Sequence, residues 1–375
     1  MKHHPIIAIV FVLLLRSAAF AEQSVPPVYG DHSNLLVYRD AGGREHAVKS
    51  KEDWAKRRGH VLLGMQQAMG ALPERDKLPK LEVREGEVHK REEYTRITIT
   101  FVAEVVDGKE DRVPAYLYLP AKRGDGEQPK QRPAMLVLHQ THALGKGDCD
   151  WEKGRTNRCL ASELAARGYV VLAPDYPSFG DYTFDFAAMY KAGRYASGSM
   201  KGIFNHMRAV DLLQSREDVD GERIGVIGHS LGGHNAMFLA AFDERVKVIV
   251  SSCGWTPFHD YYGGKIAGWT SDRYMPRLRE VYQLDAGKVP FDFYEVVAAL
   301  APRPFYSCSP TRDSNFDVMG VKKAGAKAKQ VYELFKAEEK LVIEHPDSAH
   351  DFPPASREAA YKFIDEALST MKSQR

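Results

Sequence analysis

Arg223-Ile224-Gly225-Val226-Ile227-Gly228-His229-Ser230-Leu231-Gly232-Gly233-His234-Asn235-Ala236 carries an apolar run straight into a G-x-S-x-G pattern. Residues 224–227 read as a short buried strand and residues 231–241 as the helix that follows it. Between them Gly228, Ser230 and Gly232 make a turn tight enough to need residues without a Cβ. Ser230 is left at its apex with a strained backbone. A bare G-x-S-x-G is common by chance; the strand before it and the helix after it give this one the context in which a serine hydroxyl is presented for reaction.

The same alternation extends in both directions. After Pro133, apolar runs at 134–138, 169–173, 223–227, 246–252, 305–309 and 341–344 alternate with helical patterns at 160–167, 199–215, 231–241, 321–336 and 356–371. Strands buried on both faces read as unbroken apolar runs, and alternation with helices calls for parallel strands joined by right-handed crossovers. The expected fold class is therefore α/β, a mostly parallel open sheet flanked by helices, with its functional groups at the carboxyl ends of the strands. Ahead of it, residues 94–103 alternate with period two and residues 113–119 form a second strand, an antiparallel start to the sheet. The turn from Pro120 through Pro133 is rich in Gly, Lys, Gln and Pro.

The N-terminus reads differently. Met1-Lys2-His3-His4 precedes an apolar run over 6–15 and Ala19-Phe20-Ala21, the pattern of an export signal with cleavage after Ala21. The run is too short to span a bilayer, and no later stretch is long and apolar enough to do so. Residues 22–93 are polar apart from one helical stripe, Trp54, Val61, Leu62, Met65 and Met69, closed by Gly70 and Pro73. They read as an arm packed on the main domain, which occupies residues 94–375. Loss of residues 1–21 removes Lys2 and Arg16 and no acid, so 50 basic residues face 50 acidic ones. No basic stripe points to nucleic acid or to a membrane surface. Four cysteines in an exported chain permit disulfides; Cys149 with Cys159, close in sequence, could staple a polar loop, while Cys253 and Cys308, at or near strand ends, read as buried thiols that could pair only if those ends are neighbours with suitable Cα spacing. Asp148-Cys149-Asp150 and His139-x-x-His142 hold metal-ligand atoms but lack any paired ligand spacing, so no metal is expected.

A serine hydroxyl is a weak nucleophile near neutral pH and needs a base in reach and a group that orients the base. Downstream of Ser230, His234 belongs to the helix after the turn, His259 to an insertion and His345 to the end of the last strand. His350 sits in the loop between last strand and last helix, at the carboxyl edge, and is the expected base. The acid should come from the loop after residues 305–309: Asp313 is nearer the strand end and is preferred to Asp317, either of which would otherwise be a turn or capping aspartate. Backbone N–H groups of Leu231 and of Thr141 or Gln140 would form an oxyanion hole, with His139 structural beneath it. The insertion over about 254–290 holds Trp255, Phe258, Tyr261, Tyr262, Trp269, Tyr274 and Tyr282. It reads as an aromatic cap, with Trp255, Trp269 and Tyr274 as candidate substrate-binding residues, or as a satellite core.

Together, residues 136–141, 168–177, Gly228-His229-Ser230-Leu231-Gly232-Gly233, Ala301-Pro302-Arg303-Pro304 and the His350 loop resemble the dienelactone-hydrolase-like and acetyl-xylan-esterase-like branch of the α/β-hydrolase superfamily. The similarity spans about residues 94–371 and implies a Ser-Asp-His triad at Ser230, Asp313 and His350, with no cofactor. Dienelactone hydrolases proper use a cysteine nucleophile; Ser230 here favours ordinary carboxylic esters. Glucuronoyl esterases carry an arginine after the nucleophile, where this chain has Leu231. The resemblance thus implies an exported serine esterase acting on small or glycan esters, acetyl foremost. A peptidase of the prolyl-oligopeptidase type shares this domain but usually carries a propeller ahead of it, for which residues 22–93 are too short and not repetitive. A catalytically silent binding protein would normally have lost a triad position, and all three are present.

Overall fold

The computed structural model describes residues 27–121 and 130–369. The signal read at 1–21 and most of the turn after Pro120 lie outside them. A short hairpin, β1 (Val37–Arg39) and β2 (Glu45–Ala47), leads into helix α1 (Lys51–Met69). Then β3 (Arg84–Lys90), β4 (Tyr94–Val106) and β5 (Lys109–Pro120) run antiparallel. The crossover part follows as β6 (Arg132–Leu138), α2 (Leu160–Arg167), β7 (Val170–Pro174), α3 (Phe186–Lys191), α4 (Gly198–Gln214), β8 (Val219–His229), α5 (Leu231–Phe242) and β9 (Val246–Ser252). It closes with α6 (Arg277–Glu280), α7 (Phe293–Ala299), β10 (Phe305–Cys308), α8 (Val318–Leu334), β11 (Leu341–Glu344) and α9 (Pro354–Ser369).

Nine strands form one sheet in the order β11-β10-β9-β8-β6-β7-β5-β4-β3. It is parallel from β11 to β7 and antiparallel beyond. Alternate residues of the central strands enter two different cores, as the pleat requires. Leu136, Leu172, Ile224, Val226 and Ile249 face α1, α4, α5, α7 and α8. Met135, Val137, Val171, Ile227, Val248 and Val250 face α2 and α9. This two-sided burial is why these strands read as continuous apolar runs. β8 lies in the middle of the parallel part, and the loops that leave β6, β8, β10 and β11 open along one edge.

β3 corrects the reading of residues 22–93 as an arm alone, since it is the sheet's edge strand. Trp54, Val61, Met65 and Met69 of α1 are buried as the helical stripe requires. The arm is also clasped ionically. His32 places Nδ1 2.9 Å from the Glu295 carboxylate and hydrogen-bonds through Nε2 to the Val289 carbonyl at 2.9 Å. Glu295 also pairs with Arg57, which stacks 3.6 Å over the Tyr29 ring.

Burial opposes a charge on His32, but the neighbouring Glu295 carboxylate outweighs it and holds the imidazole above its usual value. Burial also lifts the nearby Asp292 to about 7. Each raised value means that the folded chain binds more protons than the unfolded one. Asp292 therefore lowers stability as pH rises from the usual carboxylate range to about 7. The His32 contribution is complete below the ordinary histidine value and fades as pH climbs through its raised one. His32→Asn should therefore cost more thermal stability, relative to the parent, at about pH 6 than at about pH 8. An equal loss at both pH values in a calorimetric series would show that His32 is not a titrating group.

Candidate active site

Ser230 leaves β8 with φ 55° and ψ −115°, a left-handed conformation for a side-chain-bearing residue. Such a backbone costs on the order of 1–3 kcal/mol and persists only where the surroundings fix it. Here its N–H donates to the Ser252 carbonyl at 2.8 Å and its own carbonyl accepts from the His234 N–H at 3.2 Å. Glycine is obligatory on both sides. A Cβ on Gly232 would stand 1.9 Å from the Leu138 carbonyl oxygen, and one on Gly228 would stand 2.2 Å from the Gly232 carbonyl. The start of α5 is thereby pressed against the carboxyl end of β6, which brings the N-terminus of α5 beside residues 139–141.

The loops after β10 and β11 are tied together main chain to main chain. Thr311 N–H donates to Pro346 O and Arg312 N–H to Ser348 O, each at 3.0 Å. This brings Asp313 to His350: Nδ1 lies 3.0 and 2.9 Å from the two carboxylate oxygens. The Asp313 carboxylate is 1 % exposed and its Oδ1 also accepts the N–H groups of Asn315 and Phe316. Asp317, the alternative, caps α8 instead, accepting from the N–H groups of Met319 and Gly320. His345 is turned to the Ser309 carbonyl. The His350 loop is pinned from outside by Arg158, which donates to the His350 carbonyl and pairs with Asp351.

Two neighbours of this couple escaped sequence reading. The His229 ring lies 5.0 Å from that of His350 and its Nδ1 meets Ser252 Oγ at 3.0 Å. Burial, with the charges of Arg158 and His350 adding to it, keeps His229 neutral. A proton gained by His350 therefore meets no second imidazolium. Cys253 offers its sulfur within 4.8 Å of Asp313 and His350 donor atoms. Burial raises that thiol well above its usual value, and its Sγ–H donates to the Asp351 carbonyl at 3.2 Å. Low thiolate character makes it a poor nucleophile despite its place. The signal for both was present only in the strand ends they occupy, not in any motif.

A cleft of about 320 Å³ is bordered by Ser230, Leu231, His234, Gln140, Thr141, His350, Trp269, Tyr274, Tyr261, Asn315, Phe316 and Gly268. No acid and no lysine or arginine is among these. With Nδ1 on Asp313, the remaining nitrogen of His350 is the one available to the cleft. His139 lies beneath: its Nδ1 donates to the Gln140 carbonyl at 2.6 Å and its Nε2 accepts from the Tyr176 N–H at 2.9 Å. The Gln140 side chain is held by Asp148 at 2.6 Å, and Thr141 Oγ1 meets the Tyr274 hydroxyl at 2.8 Å. The wall after β6 is thus fixed through both side chains. Chemically, the arrangement offers a hydroxyl on a strained turn, an oriented imidazole and a neutral, aromatic-walled space.

Residues 136–362 match the family model described as alpha/beta hydrolase family. The chain belongs to the alpha/beta hydrolase family. YtaP of Bacillus subtilis, named as a hydrolase, is 30 % identical over 317 residues, covering 80 % of this chain and 96 % of that one. Among solved structures, a glucuronoyl esterase from Solibacter usitatus superposes with a TM-score of 0.67 at 21 % identity, over 92 % of this chain and 100 % of its own. An acetyl xylan esterase from Paenibacillus sp. R4 does so with a TM-score of 0.52 at 19 % identity, over 77 % and 90 %. At those identities the two structures speak for the fold.

Within this alpha/beta hydrolase one expectation needs correction. Trp255 is not a wall of the cleft: it is 1 % exposed, donates to Ser307 Oγ at 2.9 Å and packs on Phe293 and Phe305. The insertion is both cap and satellite core, since Trp269 borders the cleft while Phe258, Trp269, Phe291 and Phe293 pack together behind it. The Cys149–Cys159 staple is not formed, and Cys253 and Cys308 are buried free thiols, one of the two readings open for them. Asp148 and Asp150, weighed as metal ligands, are engaged by Arg155 and Arg96. Among the described residues no helix is long and apolar enough to cross a membrane.

Proposed function

We propose that this protein is an exported serine carboxylic-ester hydrolase that removes acyl groups, acetyl foremost, from carbohydrate or related small esters. The observation that carries this is the Asp313–His350 couple opening on the same cleft as Ser230 at the apex of its strained turn. His350 takes the hydroxyl proton as Ser230 Oγ attacks the ester carbonyl, and Asp313 holds the ring in the tautomer that can accept it. The oxyanion that forms is met by the N–H of Leu231, at the start of α5, and by that of Thr141 or Gln140. His350 then returns the proton to the departing alcohol. Water, activated by the same base, frees the acid from the acyl-serine. No cofactor enters these steps.

Export rests on the sequence of residues 1–21, and the carbohydrate part on two supports. The structurally similar proteins named above are by name esterases of glucuronoyl and acetyl xylan substrates. The cleft is walled by Trp269, Tyr274 and Tyr261, flat apolar faces suited to the C–H faces of a sugar ring. Leu231, where glucuronoyl esterases carry an arginine after the nucleophile, favours an acetyl ester over a uronate ester. The mature protein should release acetate from 4-nitrophenyl acetate and acetylated xylo-oligosaccharides, act little on a methyl glucuronate, and take a fluorophosphonate label on the peptide containing Ser230. No turnover of any of the three esters, together with no label, would overturn the assignment.

A further inference from the structure

His234 is 5 % exposed, borders the cleft, and has no hydrogen-bond partner on either ring nitrogen. Buried polar groups in folded proteins are almost always partnered, and an imidazole left bare at a cleft is therefore a group in want of a ligand. Its place is fixed. It sits in the first turn of α5, four residues after Ser230, a rise of about 6 Å along the helix axis. The ring is held edge-on against Trp269 at 4.8 Å, with Phe238 at 5.6 Å and Tyr274 at 6.1 Å between ring centroids. The Gly254 carbonyl lends it electrostatic support without lining up for a hydrogen bond. Burial keeps the ring neutral, with its value driven down to about 3. It therefore presents one donor and one acceptor, never two donors.

That pair of properties selects its ligand. A carboxylate, which only accepts, finds a single N–H and no countercharge on this border. A plain alkyl group leaves both nitrogens bare. An alcohol hydroxyl can satisfy either nitrogen, and because His234 and Ser230 border one cleft it can lie on the same sugar as the ester oxygen.

We propose that His234 binds a free hydroxyl on the alcohol half of the substrate, next to the ester, so that the substrates are partly acylated sugars rather than simple or fully acylated esters. This rests on the esterase reading above and narrows it. The test compares methyl monoacetyl-β-xylopyranoside, which keeps free hydroxyls, with the fully acetylated methyl xyloside and with 4-nitrophenyl acetate, which have none. His234→Phe keeps the ring's bulk and removes both nitrogens. Its kcat/KM ratio for the monoacetyl sugar over each of the other two should fall roughly 10-fold or more, mainly through KM. His234→Asn, which again offers a donor and an acceptor, should recover part of the ratio. The melting temperature of His234→Phe should equal or exceed that of the parent, because no internal hydrogen bond is lost. A parallel loss on all three substrates, or an unchanged ratio, overturns the proposal. If the parent protein hydrolyses none of the three, the esterase reading itself fails, a result distinct from either.

Discussion

Ser230→Ala should lower kcat/KM for 4-nitrophenyl acetate by on the order of 10⁴- to 10⁶-fold, with fluorophosphonate labelling lost in step. The size follows from the mechanism: without Oγ there is no acyl-serine, and the residual rate is what binding and the oxyanion donors give to water alone. The fold should not change. Alanine keeps the Cβ and the φ of 55° that the turn already tolerates, and the main-chain bonds to Ser252 and His234 remain. Ser230→Gly separates the strain from the chemistry. It should be equally inactive yet unfold at a higher temperature, since glycine adopts this φ freely and relieves a strain of roughly 1–3 kcal/mol. Thermal midpoints and initial rates on the two variants check both halves. A variant retaining more than about a hundredth of the parent rate would mean that another group performs the attack.

The parts of this chain that sequence reading reached are those whose signal is local. β9 and β11 and helix α2 fall on the residues expected of them, because a strand buried on both faces or a helix with one apolar stripe advertises itself over a few residues. β3, Arg-Glu-Gly-Glu-Val-His-Lys, was not legible: an edge strand needs one neighbour, and nearly all of its side chains stay in water. Trp255 shows a related limit. Whether an aromatic in an irregular insertion turns towards a cleft or a core depends on what packs over it, and here Ser307 of β10 draws the indole inward. Ser230 was legible because turn, strand and helix are contiguous. Cys149 and Cys159 stayed unpaired for the opposite reason, since nearness in sequence says little about where thiols point. His234 was visible only as a histidine on the helix after the turn; its lack of partners is a property of the packed protein.

Asp313 was the least certain member, and its replacement carries the second large effect. Two aspartates four positions apart leave the same strand, and nothing local decides between them. The choice is made by the main-chain ties from Thr311 and Arg312 to the 346–348 segment, which carry Asp313 to His350 and leave Asp317 at the start of α8. Asp313→Asn keeps an oxygen that can accept from Asn315 and Phe316, but turns an amide N–H₂ or a lone weaker acceptor towards His350 Nδ1. The ring then no longer favours the tautomer with its free lone pair on the cleft, and kcat should fall by about 10⁴-fold while KM moves little. Asp317→Asn retains a good cap and should leave kcat within a few-fold; Asp317→Ala should cost about 1 kcal/mol of stability with the rate similarly preserved. A single set of rate and unfolding measurements on these three variants thus separates an orienting carboxylate from a capping one. If Asp317→Asn were the inactive variant, His350 would have to reach past the bonds that hold it now, and the acid would have been assigned to the wrong end of the loop.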